Sequence, residues 1–237
     1  MSVMIRSSNP EEPVTSARAR TVAFVAGALA SFAAALGLAL VSIEIEERAS
    51  ATVITDAAGE PIRLILPADG RLRFRARLEE VSPVLRTALV AAEDRRFFDH
   101  SGVDLRAIAR ATWTNLRAGR VVSGGSTIPM QIARMTMPAE RTFGAKLGDA
   151  IRAVLFDARH SKDELLEAYL NLAPFGANIE GVGAASAFWF GKRPSELSLG
   201  EAALLTALPR APNAYDPVAN PEAARRARDR VLDQLER

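Results

Sequence analysis

The stretch Glu93-Asp94-Arg95-Arg96-Phe97-Phe98-Asp99-His100-Ser101-Gly102 crowds carboxylates, guanidiniums, an imidazole and aromatic rings into the end of an apolar run. A carboxylate at a helix end suits general acid–base work. His100 reads as a base or as a merely structural side chain. The bland account of the whole stretch is a helix C-terminus, where Arg and His sit well near the negative end of the dipole.

A second stretch, Ser123-Gly124-Gly125-Ser126-Thr127-Ile128-Pro129-Met130-Gln131-Ile132-Ala133-Arg134, runs from a glycine-rich loop into an apolar periodic segment. Glycines let backbone N–H groups close on an anion such as phosphate. The same residues also describe a connector followed by a capped helix.

The elements that must position these stretches are mostly helical. Ser82-Pro83 supplies an N-cap and a first-turn proline, and Val84, Leu85, Ala88, Leu89 and Ala92 repeat at helical spacing up to Glu93. Ser161-Lys162-Asp163-Glu164 and Ser198-Leu199-Gly200-Glu201 are capping boxes, and Asn220-Pro221-Glu222 opens a last charged helix. Before residue 82 the pattern changes. Thr52 to Thr55, Ile62 to Leu66 and Leu72 to Arg75 are strand-like runs parted by Asp56-Ala57-Ala58-Gly59 and Asp69-Gly70, which predicts a small hairpin or meander.

At 237 residues the chain has room for one membrane anchor and one catalytic domain. Its net charge of +2 comes with a basic side made mostly of arginine, which favours planar contacts to phosphate or carboxylate over a diffuse nucleic-acid surface. The arginine richness is also what composition alone would give. There is no cysteine, so disulfides and thiolate metal sites are excluded.

From Thr21 to Ile43 no residue is charged. As a helix this run spans about 35 Å, enough for a bilayer core. Arg18 and Arg20 precede it and Glu44, Glu46 and Glu47 follow it, so the positive-inside rule puts the N-terminus in the cytoplasm. The rival reading is a cleaved signal peptide ending near Ala49-Ser50-Ala51. The expected organisation is a cytoplasmic tail over 1–20, a transmembrane helix over 21–43, a β-containing linker over 44–81 and a catalytic domain over 82–237. The protein is then single-pass in the inner (plasma) membrane, with its catalytic domain periplasmic or extracellular.

Taken together, the two stretches resemble the family-51 peptidoglycan glycosyltransferases, whose motifs are E-D-x-x-F-x-x-H-x-G and G-G-S-T-I-T-Q-Q-x-x-K. Glu93, Asp94, Phe97, His100 and Gly102 satisfy the first pattern, and Gly124, Gly125, Ser126, Thr127, Ile128 and Gln131 most of the second. The run Asn171-Leu172-Ala173-Pro174-Phe175-Gly176 and the pair Met130-Gln131 look most like the 1C type of class A penicillin-binding protein. Three departures stand out. Pro129 and Met130 replace Thr and Gln, Arg134 stands where Lys is common, and the third motif, R-K-x-x-E in much of the family, reads Ala145-Lys146-Leu147-Gly148-Asp149.

The resemblance implies a mainly α, lysozyme-like glycosyltransferase domain that polymerises lipid II into β-1,4-linked glycan with release of undecaprenyl pyrophosphate and inversion at the anomeric carbon. Glu93 is then the general base, His100 an orienting hydrogen-bond partner near it and Asp149 a second carboxylate. Asp94, Phe97, His100, Gly124, Gly125, Ser126, Thr127, Gln131, Arg134, Arg141 and Lys146 line the substrate cleft, the last three cations facing pyrophosphate. For Arg141 and Lys146 a solvated helix face is the alternative. Mg2+ or another divalent cation is expected to share Asp149 with substrate phosphates, with no organic cofactor. The expected partners are lipid II, a lipid-linked glycan chain, the membrane and other cell-wall synthesis proteins, with no nucleic acid.

Two other functions compete. One is a lysozyme-like glycan-cleaving enzyme, and the other a non-catalytic membrane scaffold of cell-wall assembly. No S-x-x-K motif occurs in the chain, so transpeptidation and penicillin binding are not expected of these residues.

Overall fold

The computed structural model describes residues 44–138, 140 and 142–236, together with Val22, Phe24, Gly27 and Ser31. The chain divides into two units, Met1–Ser42 and Ile43–Arg237. In the first, the four described residues are helical; the tail expected over 1–20 and the rest of the expected span over 21–43 lie outside the described residues. Among the described residues no helix is long and apolar enough to cross a membrane.

The second unit opens with an antiparallel hairpin of β1 (Thr52–Thr55) and β2 (Pro61–Ile65), with Val53 opposite Leu64. Asp56 shapes its turn, one carboxylate oxygen accepting from the backbone N–H groups of Ala58 and Glu60 at 2.9 Å each. Both strands are exposed. The third expected strand does not form. Leu72 makes a single bridge to Ile179, and its N–H and C=O bond to Asn178 and Glu180 instead of to a neighbouring strand. The next residue, Arg73, is buried and binds Glu180 at 2.7 Å, so this segment is fastened to the core by side chains as well as backbone.

Eight helices follow among the described residues: α1 (Pro83–Glu93), α2 (Leu105–Ala118), α3 (Ile128–Thr136), α4 (Phe143–Arg159), α5 (Lys162–Leu172), α6 (Val182–Phe190), α7 (Leu199–Ala207) and α8 (Pro221–Leu235). The domain is mainly helical with one small hairpin, as the pattern predicts. Side chains cap many of the helix starts. Ser82 accepts from the Leu85 N–H, Thr127 from Met130 and Thr142 from Ala145, while Ser161–Glu164 and Ser198–Glu201 form complete capping boxes.

Tyr169, Phe97, Phe156, Phe175, Leu85 and Leu89 are among the largest fully buried side chains. Helix α3 packs against α4 and α5, and α7 against α8 and α1. These two groups of contacts bring the end of α1, the face of α3 and the turn after α7 together.

Candidate active site

Glu93 is the last residue of α1, and its side chain is 8% exposed. Both carboxylate oxygens are held. Arg210 Nε donates to Oε1 at 2.6 Å and Gln131 Nε2 donates to Oε2 at 3.0 Å. Arg210 also donates through Nη2 to the Ala92 carbonyl, so one guanidinium grips both the side chain and the end of its helix. A carboxylate has about four lone-pair sites, which leaves Glu93 able to accept from a further donor.

Asp94, Phe97 and His100 lie behind Glu93. Asp94 is buried, accepts from the Ile128 N–H at 3.0 Å and faces His100 Nε2 at 3.0 Å. His100 thus orients Asp94, not Glu93, and its Nδ1 is buried without a hydrogen-bond partner among the described residues. Phe97 is fully buried. Lys162 Nζ lies 4.9 Å over its ring and donates to the His100 carbonyl at 2.6 Å. Of the first-motif residues expected to line the substrate cleft, these three have buried side chains engaged within the fold.

The second motif is stitched to the first. Thr127 caps α3 and donates its hydroxyl to the Gly102 carbonyl at 2.5 Å. Gly102 is at φ +83°, and a Cβ there would stand 2.3 Å from the Ala153 carbonyl oxygen, so only glycine lets α4 approach this closely. Gly125 is required for a similar reason, with the Ile108 Cα 2.9 Å from where its Cβ would be. Gly124 and Ser126 lie in the same loop, Gly124 exposed and Ser126 half-buried. Pro129 and Met130, the departures from the motif, are buried in the first turn of α3, where proline costs no helical hydrogen bond.

Gln131 and Arg134 are three residues apart on α3 and so share a face. Gln131 reaches Glu93, while Arg134 Nε reaches Asp149 Oδ2 at 3.3 Å. One turn of α3 therefore joins the two carboxylates that the motifs single out. Asp149 itself is buried, and its other oxygen lies 3.5 Å from Arg152 Nη1. Lys146 is exposed on α4, and Arg141 lies outside the described residues. Among the described residues there is no cluster of three His, Cys, Asp or Glu side chains able to hold a metal ion. Asp149, already paired with two guanidiniums, does not fit a resident divalent cation.

Tyr169 of α5 is fully buried, with a hydroxyl that has no hydrogen-bond partner among the described residues. Burial above all, and then the charge of Glu93, hold its pKa well above that of an ordinary tyrosine, with Arg210 acting the other way.

Sequence reasoning missed Arg210, Lys162 and Arg152 as site residues. Arg210 closes a single helical turn, Leu208–Arg210, after α7, and its bond to Glu93 spans 117 positions. No local pattern announces such a pair.

The fold and the site together define a mainly helical domain built around a buried, clamped carboxylate, with arginines one helical turn away. The sequence model of the transglycosylase family matches residues 59–236. The chain is 44% identical over 185 residues to penicillin-binding protein 1C of Escherichia coli, covering 78% of this chain and 24% of that protein. It is 43% identical over 164 residues to penicillin-binding protein 1A of Aquifex aeolicus, covering 69% and 23%. Against penicillin-binding protein 1F of Bacillus subtilis it is 37% identical, over 67% and 22%. A crystal structure of penicillin-binding protein 1A from Haemophilus influenzae aligns with a TM-score of 0.42 at 21% identity, over 80% of this chain and 18% of that one. The chain belongs to the transglycosylase family, the peptidoglycan glycosyltransferases whose motifs it carries. It spans about a quarter of the length of these curated relatives.

Proposed function

We propose that this chain polymerises lipid II into β-1,4-linked glycan, with Glu93 as general base and release of undecaprenyl pyrophosphate. Glu93 takes the proton of the acceptor sugar's 4-hydroxyl as that oxygen forms its bond to the donor's anomeric carbon. The anomeric C–O bond to pyrophosphate breaks on the opposite face, so the configuration inverts. The pyrophosphate leaves as a stable anion and needs charge neutralisation more than a proton, which Arg134 is positioned to give, with Lys146 and Arg141 on the same stretch of chain. Asp149 serves by holding Arg134. Gly124, Gly125 and Ser126 line the donor side of a lysozyme-like cleft, and no step passes through a metal.

The observation that carries this reading is the double clamp on Glu93. A base for a single displacement must present one lone pair in a fixed direction, and Arg210 and Gln131 fix both oxygens. The membrane setting has support of its own. Leu105 and Leu116 of α2 and Val121 just beyond it are 75%, 74% and 85% exposed, and Arg117 lies 4.7 Å over the exposed Trp113 ring. An exposed apolar stripe edged with arginine suits the headgroup boundary of a bilayer, where a lipid-linked substrate is found. A single-pass anchor over 21–43, with the catalytic domain on the periplasmic or outer face, completes the reading.

The test is incubation of the purified protein with lipid II, followed by separation of glycan products. Polymer is expected from the unmodified protein, and Glu93→Gln is expected to lower its rate by about 10²- to 10⁴-fold. Polymer formation that survives this substitution undiminished would refute Glu93 as the base. Shortening of preformed glycan without polymer would refute the transferase reading.

A further inference from the structure

A buried carboxylate needs counter-charge. Asp149, 4% exposed, receives it from two arginines on opposite oxygens, Arg134 on Oδ2 and Arg152 on Oδ1. The guanidiniums themselves are not buried, with side chains 45% and 31% exposed. Each has five N–H donors in a planar fork, so both keep donors for a second anion after bonding Asp149.

The position of Arg152 on α4 gives this pairing its meaning. Position 145, which carries arginine in the motif this chain resembles, is alanine. Residues 145, 149 and 152 fall on one stripe of the helix, with Asp149 about a turn from each of the others. Helical side chains lean toward the N-terminus, so Arg152 leans back over Asp149 and toward the place Ala145 leaves vacant. Its guanidinium reaches back as far as Gly148. A Cβ at that position would stand 3.8 Å from Arg152 Nη1, an ordinary van der Waals contact, so the guanidinium lies over that turn of α4.

We propose that Arg152 is a pyrophosphate-binding residue, supplying from one turn after Asp149 the guanidinium that this chain lacks one turn before it. Asp149 is then a positioning residue that aims Arg134 and Arg152 together at the leaving group. This inference rests on the glycosyltransferase reading and deepens it at the leaving-group end.

The experiment uses the full chain in detergent, with two readouts: lipid II polymerisation and direct binding of farnesyl pyrophosphate as a soluble probe of the pyrophosphate site. Arg152→Ala is expected to lower both by about 10- to 100-fold, the loss expected for one charge-assisted contact. The double variant Ala145→Arg/Arg152→Ala is expected to recover most of both, because it returns a guanidinium to the same stripe. Arg152→Gln, which keeps much of the side-chain stem, replaces Arg152→Ala if the alanine variant does not fold. Unchanged polymerisation and binding in the single variant would overturn the proposal, and so would a loss that arginine at 145 does not recover. An unmodified protein that fails to polymerise lipid II would instead overturn the glycosyltransferase reading.

Discussion

Arg210 and Glu93, 117 positions apart, share a hydrogen bond of 2.6 Å in which a half-exposed guanidinium holds a nearly buried carboxylate. The exposure of Arg210 keeps the contribution of the pair to folding small. Its effect on direction is larger, because the same guanidinium also bonds the Ala92 carbonyl and so sets the side chain relative to its helix. Arg210→Gln is expected to lower lipid II polymerisation by about 10- to 100-fold with little change in melting temperature. Arg210→Lys should fall between the two, since an ammonium keeps the charge but loses the two-point fork. Steady-state rates with parallel thermal melts check both.

Gly102 joins the first motif to α4. Gly102→Ala must fit a methyl 2.3 Å from the Ala153 carbonyl oxygen at φ +83°, so the helix has to move away. A loss of about 2–4 kcal/mol in unfolding free energy is expected from overpacking and backbone strain combined, measured by denaturant titration.

The Tyr169 hydroxyl is buried without a partner among the described residues, and an unmade hydrogen bond in the interior costs free energy. Tyr169→Phe removes that cost and leaves the ring packing intact. Stability is expected to stay level or rise by up to about 1 kcal/mol, with polymerisation retained. A clear drop in melting temperature would show that the hydroxyl is satisfied in solution.

Asp104 starts α2, accepting from the backbone N–H groups of Arg106 and Ala107 and pairing with Arg96 at 3.0 Å. Burial pushes its pKa up, but the Ala107 N–H, the Arg96 charge and the Arg106 N–H outweigh burial and hold it below the ordinary carboxylate value. A lowered folded-state pKa means stability that is complete above the unfolded value and lost as pH falls through the folded one. Asp104→Ala is therefore expected to cost about 1 kcal/mol near neutral pH, and the difference from the unmodified protein should shrink below about pH 4. Melting curves across that range test the sign.

Features written in neighbouring residues were legible from the sequence. Ser161–Glu164 and Ser198–Glu201 are complete within four positions, and both form. The failed strand at Leu72 shows where such reading stops, because its hydrogen bonds go to Asn178 and Glu180, more than 100 positions away. In the site, the motif spacing found Glu93 and Gln131 but not Arg210, whose pairing exists only once α7 packs on α1. Pro129 and Met130 look like defects in a motif, yet they are buried in the first turn of α3, so an apolar exchange there suits the packing.

The turn of α3 that carries Gln131 and Arg134 ties the two ends of the site to one rigid rod. Adding or deleting a single residue between them would swing Arg134 about 100° around the axis, breaking either its reach to Asp149 or Gln131's reach to Glu93. The distance between Glu93 and the cations around Asp149 is thus quantised by the helical repeat. It can be altered by exchanging side chains, but not by sliding one end past the other.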